Sequence, residues 1–312
     1  MKYEKWLSEW LESCIKPSSK CRTYARYSEI AKRHVIPNLG DKEIEELTPI
    51  ALQRYVNRLS ECGNLKNGRA LAPNSVNAIV SVIRSSLRAA YDFGCAAVPV
   101  GDKIKRPKMQ EKKIECFTSE EQRRIEGYIL RRQGSMLGVI LCLYTGIRIG
   151  ELLALEWRDV DFEKSELTVS KSCHVGRDKN GNFTRITEAP KTASSIRTIP
   201  IPDQISGTLR ALKKDSSAPY VISNGGAPIS ARSYQRSFSL ALERLGLPHR
   251  GFHSLRHTFA TRALECGMDV KTLAEILGHK NPTVTLNRYA HSLREHKKEM
   301  MDKVGMLFER SF

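Results

Sequence analysis

A histidine and a tyrosine stand ten residues apart near the end of this 312-residue chain, as His279 and Tyr289. Upstream, His253 and Arg256 are three residues apart, and Arg148 follows a Thr-Gly-Ile run. A tyrosine hydroxyl can act as a nucleophile, a histidine can accept its proton, and an arginine offers a planar fork that matches two phosphate oxygens. Together these side chains predict covalent attack on a phosphodiester without a metal ion.

The two arginines are the candidate phosphate ligands. Two guanidinium groups can neutralise the charge that builds on a pentavalent phosphorane, which is electrostatic catalysis. Arg148 follows a glycine-containing turn at the predicted start of a helix. Arg256 shares a helical face with His253, because residues i and i+3 lie on one side of a helix. Either arginine, taken singly, could equally be an ordinary surface residue.

The proton transfers need further groups. A phenol has a reference pKa of about 10, so Tyr289 must lose its proton during attack, and His253 and His279 are both candidate acceptors. The departing deoxyribose 5′-oxygen needs a proton from a general acid. Lys191 is the candidate for this role, and Lys171 is a nearby competitor. An isolated tyrosine or lysine would be interpreted as a packing or solubilising residue.

Metal ligands are not predicted. His253 and His257 stand four residues apart, but Ser254 occupies the position where the zinc-protease pattern requires glutamate. The eight cysteines are scattered, and none forms a Cys-x-x-Cys pair. We therefore expect neither a metal nor another cofactor. The cysteines are interpreted as reduced thiols of a cytoplasmic, bacterial protein.

The charge of the chain indicates its partner. With 51 Lys and Arg residues against 34 Asp and Glu, the net charge is +17, and both the first third and the remainder of the chain are basic. Such a distribution favours a protein that holds a long polyanion, such as a nucleic acid, with its whole body, although a merely soluble basic protein would share it. The longest apolar run, 136–144, has nine residues. A membrane-spanning helix needs roughly 20, so this run predicts a buried core helix and no membrane association.

Residues 1–100 predict a small bundle of four helices, because apolar side chains recur at helical spacing in four stretches. The second helix is expected to end before Pro37 and Gly40, since proline and glycine mark helix ends. The third is expected to begin with Thr48 as its N-cap and Pro49 in its first turn. This bundle is the predicted first domain.

Residues 101–115 are predicted to be an interdomain linker. Four cations lie within six positions of it, at Lys103, Lys105, Arg106 and Lys108. An ordinary solvated linker would have this composition. The basic domains on both sides favour instead a strap that lies along DNA phosphates.

Residues 116–312 are predicted to form the catalytic domain. A start that resembles a capping box at Thr118 opens a helical region, residues 166–200 alternate like two or three antiparallel strands, and helical stretches return between residues 203 and 290. A last amphipathic segment, residues 300–308, could cover its own core or dock on a neighbouring protomer. The predicted fold class is mainly α with a small antiparallel β-sheet.

The chain resembles the tyrosine recombinase, or lambda-integrase, family. The matching pieces, in the family's order, are 145–152 (TGIRIGEL), 190–200 (PKTASSIRTIP), 253–257 (HSLRH) and 277–291 (LGHKNPTVTLNRYAH). Four spaced motifs in the correct order are highly specific, whereas each alone would be weak. Residues 1–100 are similar to the family's helical core-binding domain, though less closely. The resemblance implies such a bundle followed by an α+β catalytic domain.

The resemblance implies roles for the residues around the phosphate. Arg148 and Arg256 would clamp the scissile phosphate, and His279 would hydrogen-bond to it. Glu151 would support this cluster from behind. A glutamate in the first turn of a helix is favourable in any case, so Glu151 also has an ordinary interpretation.

The resemblance also implies the route of the protons. His253 would accept or share the proton of Tyr289, which would form a 3′-phosphotyrosyl link to DNA. Lys191 would protonate the leaving 5′-oxygen. No expected catalytic position departs from the family's set. Because the new ester retains the energy of the broken bond, neither ATP nor a divalent metal is required.

Members of this family grip DNA as a C-shaped clamp and act as homotetramers on two duplexes, and DNA-bending or directionality proteins can assist them. The extension at 176–188 before Lys191 favours an integrase of a phage or conjugative transposon. Such enzymes often carry a further N-terminal arm-binding domain, and none is visible in these residues. A Xer-type chromosome-dimer resolvase is the alternative. A type IB topoisomerase-like enzyme would relax any plasmid, and a silent DNA-binding regulator would form no covalent adduct.

Overall fold

The computed structural model describes residues 1–109, 115–132, 134–177, 183–188, 196–279, 281–286, 301–302, 304–306 and 308. The chain divides into two compact units, Met1–Lys112 and Lys113–Phe312, each with its own hydrophobic core. Helices dominate both units, and the strands are short and antiparallel. The predicted fold class, mainly α with a small antiparallel β-sheet, is confirmed.

The first unit is a helical bundle. Its helices are α1 (Tyr3–Trp10), α2 (Lys16–Ser18), α3 (Cys21–Ile30), α4 (Ile36–Leu39), α5 (Pro49–Cys62) and α6 (Pro73–Asp92). The core contains apolar side chains such as Leu52 and Ile83. Three residues of this core bind one another through polar groups: the hydroxyl of Tyr3 lies 2.6 Å from Oγ of Ser86, and Nε1 of Trp6 donates to the backbone oxygen of Ser86 at 2.8 Å. These bonds fasten α1 to α6.

The helix around Pro37 does not end where it was expected to. A π turn, Ala31–Val35, leads from α3 directly into α4, so the prediction that this helix ends before Pro37 is wrong. A second π turn, Leu11–Ile15, precedes Pro17 in α2. Proline has no N–H, and its ring clashes with the carbonyl four residues earlier. A turn with i→i+5 hydrogen bonds widens the helix before the proline and lets the chain stay helical.

The start of α5 is as predicted. Oγ1 of Thr48 accepts a hydrogen bond from the backbone N–H of Ala51 at 3.3 Å, and Pro49 is the first helical residue. The N-cap is therefore confirmed. Because a helix start exposes N–H groups without partners, this bond fixes where α5 begins.

The basic segment 103–108 lies on the first unit. Ile104 is 3% exposed and belongs to its core. The backbone N–H of Lys105 donates to Oε1 of Gln53 on α5 at 2.9 Å, and Nδ2 of Asn77 on α6 donates to the backbone oxygen of Pro107 at 3.4 Å. The segment predicted as a linker therefore begins with residues that pack on α5 and α6.

The second unit is built around a buried helix. Its helices are α7 (Ser119–Arg132), α8 (Leu137–Thr145), α9 (Ile149–Ala154), α10 (Asp203–Lys214), α11 (Ala231–Arg244), α12 (His253–Glu265) and α13 (Val270–Leu277). Every residue of α8 except Tyr144 is buried, as expected for a helix that is apolar all round. The prediction of a core helix at 136–144 is confirmed. This helix packs against α12, and Arg256 on α12 donates a hydrogen bond to the backbone oxygen of Gly146, directly after α8.

The described strands form one three-stranded and two two-stranded antiparallel sheets. They are β1 (Val160–Asp161), β2 (Glu166–Val169), β3 (Ser172–Arg177), β4 (Phe183–Glu188), β5 (Arg197–Pro200), β6 (Ser223–Asn224) and β7 (Ala227–Pro228). One sheet has the order β1-β2-β5, with Leu167 opposite Ile199. The hairpin β3–β4 pairs within itself, with Cys173 opposite Thr187. The antiparallel element predicted over 166–200 thus consists of a sheet that returns at β5 and a hairpin inserted before it.

Candidate active site

The junction between α8 and α9 places Arg148. Gly146 ends α8 in the left-handed conformation, with φ of 63°. A Cβ at this glycine would lie 2.5 Å from the ring of Phe259, so only glycine fits both the conformation and the space. Arg148 is then the N-cap of α9, and its backbone N–H donates to Oε2 of Glu151 at 3.1 Å. The turn and the cap together fix the backbone at Arg148.

Glu151 binds two arginines at once. Its Oε1 lies 2.8 Å from Nη1 of Arg148, and its Oε2 lies 2.7 Å from Nη2 of Arg197. Burial alone would raise the pKa of this carboxyl. The hydrogen bond and charge of Arg197, followed by the charge of Arg148, outweigh burial and hold the pKa of Glu151 below its ordinary value. The ionised carboxylate therefore orients both guanidinium groups.

Arg256 binds both the turn after α8 and the end of α13. It lies on α12 and is 3% exposed. Its Nη1 donates to the backbone oxygen of Gly146 at 2.8 Å, and its Nη2 donates to the backbone oxygen of Leu277 at 2.7 Å. The same Nη2 lies 2.9 Å from Nε2 of His279. Arg256 thus joins the α8–α9 turn to the end of α13.

Three arginines meet at the C-terminus of α13. Successive backbone oxygens at this end each accept a hydrogen bond from a different guanidinium: Ile276 from Arg197 at 2.6 Å, Leu277 from Arg256 at 2.7 Å, and Gly278 from Arg148 at 3.3 Å. The last carbonyls of a helix have no partner within it and carry partial negative charge. The end of α13 therefore stabilises a concentration of positive charge, with Glu151 as the balancing anion.

His279 follows directly on this helix end. Its Nδ1 lies 2.6 Å from Oγ1 of Thr285, and its Nε2 faces Arg256. Because a guanidinium can only donate hydrogen bonds, Nε2 is the accepting nitrogen, and Nδ1 carries the proton that is donated to Thr285. Thr285 is fully buried and lies in the helical stretch 282–286.

The structure brings four of the predicted residues together, namely Arg148, Glu151, Arg256 and His279. His253 lies in the first turn of α12, where its exposed ring packs edge-on against His257 with centroids 4.6 Å apart. Lys191 and Tyr289 lie outside the described residues, so the structure does not test their placement. Tyr289 follows Thr285 by four positions in the sequence.

Lys171, the competing general acid, is already engaged. Its Nζ lies 2.8 Å from Oε1 of Glu156 and 3.5 Å from Oδ2 of Asp159. The ion pair lowers the pKa of the Glu156 carboxyl, chiefly through the hydrogen bond from Lys171. Both contacts hold the Lys171 ammonium in place, so Lys171 would have to break them to reach a leaving group.

The predicted DNA contacts belong to the first unit. The side chains of Lys103, Lys105, Arg106 and Lys108 are all exposed. Nη2 of Arg106 donates to Oγ of Ser81 at 3.2 Å. The basic segment therefore presents its charges from a fixed backbone rather than from a free chain.

Two residues with a place in this site were not assigned a role from the sequence, Arg197 and Thr285. Arg197 is the first residue of β5, where Arg197 and Ile199 are buried while Thr198 and Pro200 are exposed. A charged residue on the buried side of a strand requires a partner, and that signal could have identified it. Thr285 carried no comparable signal.

Among the residues that the structure describes, no group of three or more His, Cys, Asp or Glu side chains is arranged to hold a metal ion. No described helix is long and apolar enough to cross a membrane. All eight cysteines are free thiols.

Comparison with known proteins identifies relatives over nearly the whole chain. Residues 115–296 match the phage integrase family, and residues 2–60 match the N-terminal SAM-like domain of phage integrases. A XerC-like tyrosine recombinase of Caldanaerobacter subterraneus subsp. tengcongensis is 31% identical, with 96% of this chain and 81% of that protein aligned. The ICEBs1 integrase of Bacillus subtilis is 26% identical, with 96% of this chain and 82% of that protein aligned.

A solved structure has the same fold. The Tn1549 transposon integrase, in complex with transposon right end DNA, matches with a TM-score of 0.80 over 98% of this chain and 100% of that one, at 21% identity. At this level of identity the likeness shows the architecture, and the chemistry must be argued from the side chains of this chain.

Proposed function

This chain belongs to the phage integrase family and is a tyrosine recombinase, an enzyme that cleaves and rejoins DNA strands, and we propose that Tyr289 is its nucleophile. The reaction is site-specific recombination through a 3′-phosphotyrosyl intermediate. The observation that carries the proposal is the cluster of Arg148, Arg256 and His279 at the end of α13. His279, the last residue of this cluster, lies ten residues before Tyr289 in sequence.

Arg148 and Arg256 bind the scissile phosphate. Arg148 exposes 35% of its side chain beside the buried Glu151, so part of its fork is open to a ligand. Arg256 is held from behind by two backbone oxygens. Groups fixed before the substrate binds need no reorganisation as negative charge develops on the phosphorane, which is the condition for strong electrostatic catalysis.

The protons follow two routes. The Tyr289 oxygen attacks phosphorus while His253, at the start of α12, accepts its proton. The bond from phosphorus to the 5′-oxygen breaks, and Lys191 protonates that oxygen. His279 hydrogen-bonds the phosphate. When the phosphate replaces Arg256 as the group that Nε2 faces, its negative charge favours protonation of Nε2. Both ring nitrogens then donate hydrogen bonds. Rejoining is the reverse of this sequence, with the 5′-hydroxyl of a second strand as nucleophile.

Lys191 is proposed as the general acid partly because its competitor is occupied. Lys171 is bound to Glu156 and Asp159 and would have to break both contacts to protonate a leaving group. The segment with Lys191 also connects the β3–β4 hairpin to β5 in the chain order, and β5 begins with Arg197.

The DNA partner and the assembly follow from the reaction. Exchanging strands between two duplexes requires four strand cleavages. Because each chain supplies one nucleophilic tyrosine, four copies are needed. The exposed cations at Lys103, Lys105, Arg106 and Lys108 supply sequence-independent contacts to phosphates. Eight free cysteines support a reducing, cytoplasmic location in a bacterial host.

The substrate is proposed to be the paired ends of a mobile element. The integrase of ICEBs1 is a relative over nearly the whole chain, and the β3–β4 hairpin extends the catalytic unit. A Xer-type resolvase is the second candidate, since the XerC-like relative is 31% identical. Recombination of chromosomal dimer sites by the purified protein, and not of element ends, would favour that candidate.

The test of the proposed function is covalent trapping. Nicked duplexes with a partly randomised core, incubated in EDTA, should yield a DNA adduct that resists SDS and is lost in Tyr289→Phe. Tyr91→Phe is the matched control, because Tyr91 is 41% exposed on the first unit. Sequencing the trapped DNA identifies the site. DNA binding without an adduct in the wild-type protein would contradict the proposal.

A further inference from the structure

We propose that Arg197 is a positioning residue for catalysis: it holds Glu151 and the last turn of α13 so that Arg148 and His279 face the phosphate. This inference rests on the catalytic roles proposed above. Among the described residues, the Arg197 side chain binds Glu151 and the backbone oxygen of Ile276. Its effect passes through the groups that it binds.

All three guanidinium nitrogens of Arg197 are used. Nη2 and Nη1 lie 2.7 and 3.3 Å from the two carboxylate oxygens of Glu151, and Nε donates to the backbone oxygen of Ile276 at 2.6 Å. The side chain is 6% exposed, against 35% for Arg148. Of the two arginines on this carboxylate, Arg148 therefore faces outward and Arg197 supports it from inside.

Arg197 also contacts the residue before His279. Gly278 has a φ of +63°, and a Cβ built on it would lie 3.0 to 3.2 Å from the guanidinium of Arg197. There is thus little room for a side chain at Gly278, and glycine lets the backbone lie close to Arg197. The backbone oxygen of Gly278 is the one that accepts from Arg148. Arg197 therefore fixes the position of Glu151, the carboxylate that binds Arg148. It also fixes the backbone at Gly278, directly before His279.

A role in stability alone is the competing explanation, because breaking a buried ion pair is costly in itself. The geometry points further, since the atoms that Arg197 holds are the ones that orient the proposed catalytic groups. Lysine would keep the charge, but a single ammonium cannot hold both carboxylate oxygens and the Ile276 carbonyl in one plane. Arg197→Lys therefore separates charge from geometry.

The experiment measures single-turnover cleavage of a trapping substrate by the full chain, together with DNA affinity and thermal unfolding. Arg197→Lys should cleave about tenfold more slowly or worse, with the Kd for DNA within about twofold of wild type. The matched control is Arg250→Lys. Nη1 of Arg250 donates to both carboxylate oxygens of Glu121 at 2.9 Å, so Arg250→Lys alters another arginine–carboxylate pair and should keep the cleavage rate.

A pH profile provides the second readout. In Arg197→Met the buried carboxyl of Glu151 loses a partner, so the acid limb of the cleavage rate should move to higher pH. In the neutral pair Glu151→Gln/Arg197→Met that shift should be absent, because no carboxyl remains. If Arg197→Met does not fold, the double variant Glu151→Gln/Arg197→Met, which leaves no buried charge unpaired at this position, can be measured instead.

Wild-type cleavage rates in folded Arg197→Lys would overturn the inference and leave the proposed function standing. An equal loss of cleavage in Arg250→Lys would also overturn it, since general destabilisation would then explain both. Absence of any adduct with the wild-type protein would instead refute the proposed function.

Discussion

Oγ1 of Thr285 lies 2.6 Å from Nδ1 of His279. Thr285 is fully buried, and the opposite ring nitrogen of His279 faces Arg256. The hydrogen bond at one ring nitrogen decides which nitrogen carries the proton. Arg256 sets the tautomer of His279, because its guanidinium can only donate to Nε2. Thr285 accepts the Nδ1 proton, fixes the orientation of the ring and joins the helical stretch 282–286 to the phosphate site.

Removing the hydroxyl of Thr285 should slow cleavage without unfolding the protein. Thr285→Val keeps the shape of the side chain but leaves the Nδ1 proton of His279 without its acceptor. We expect the single-turnover cleavage rate to fall roughly tenfold, about 1.4 kcal/mol in activation free energy. Thr285→Ser keeps the hydroxyl and should stay within about threefold of wild type. Equal rates in Thr285→Val and wild type would show that this bond does not matter for the reaction.

The two lysines should separate by their dependence on the leaving group. Lys191→Met should cleave ordinary DNA slowly, because the departing 5′-oxygen is no longer protonated. A substrate with sulfur at the bridging 5′ position should restore its rate, since a thiolate leaves without a proton. Lys171→Met should cleave both substrates normally and lose stability, because Glu156 and Asp159 lose their shared cation. Rescue of Lys171→Met by the sulfur substrate would reverse this assignment.

The Glu151 ion pairs predict a stability that depends on pH. The pKa of Glu151 in the folded protein is lowered from 4.5, with burial opposed by Arg197 and Arg148. A depressed pKa in the folded state means that the carboxylate contributes stability above its unfolded pKa and loses that contribution as the pH falls through the folded value. As the pH falls below about 4.5, the ordinary pKa of this carboxyl, Glu151→Gln should therefore flatten the fall in melting temperature relative to wild type. Parallel curves for the two proteins would contradict this expectation.

Local patterns predicted the parts of the site that local rules govern. Helical spacing placed His253 and Arg256 on one helix, and the glycine turn placed Arg148 at the start of another, as the structure shows at α12 and α9. Apolar composition likewise predicted that α8 is buried. In each case the informative contacts lie within a few residues of one another in the chain.

Contacts between distant segments were beyond these rules. Arg197 meets Glu151 across 46 residues, and it does so only because β5 returns to pair with β2 beyond the β3–β4 hairpin. No periodicity predicts that return. The prediction that the helix ends before Pro37 was wrong for a different reason. The π turn at Ala31–Val35 is a change in hydrogen bonding that residue preferences do not predict.

The C-terminal segment should matter for assembly more than for DNA binding. Among its described residues, Met301, Met306 and Phe308 are 68%, 63% and 65% exposed, and exposed apolar side chains of this kind favour docking on a second copy. Deleting residues 296–312 should therefore reduce the joining of two DNA sites, measured by gel shift of paired duplexes, while the affinity for one duplex changes little. Unchanged recombination by the truncated protein would defeat this expectation.

The contribution of the basic segment 103–108 to DNA binding should be measurable from the salt dependence of the affinity. Each lysine that neutralises a phosphate releases counterions, so its loss should reduce the slope of log affinity against log salt by roughly 0.9. Lys105→Ala and Lys108→Ala should each reduce the slope by about this amount, and equally for specific and random duplexes, because phosphate contacts carry no sequence information. Arg106→Ala should do the same and also lose its bond to Ser81. Lys42→Ala, an exposed lysine outside this segment, is the control. If it reduced the slope as much, the segment would have no special part in binding, and the charge of the first unit would act only as a diffuse field.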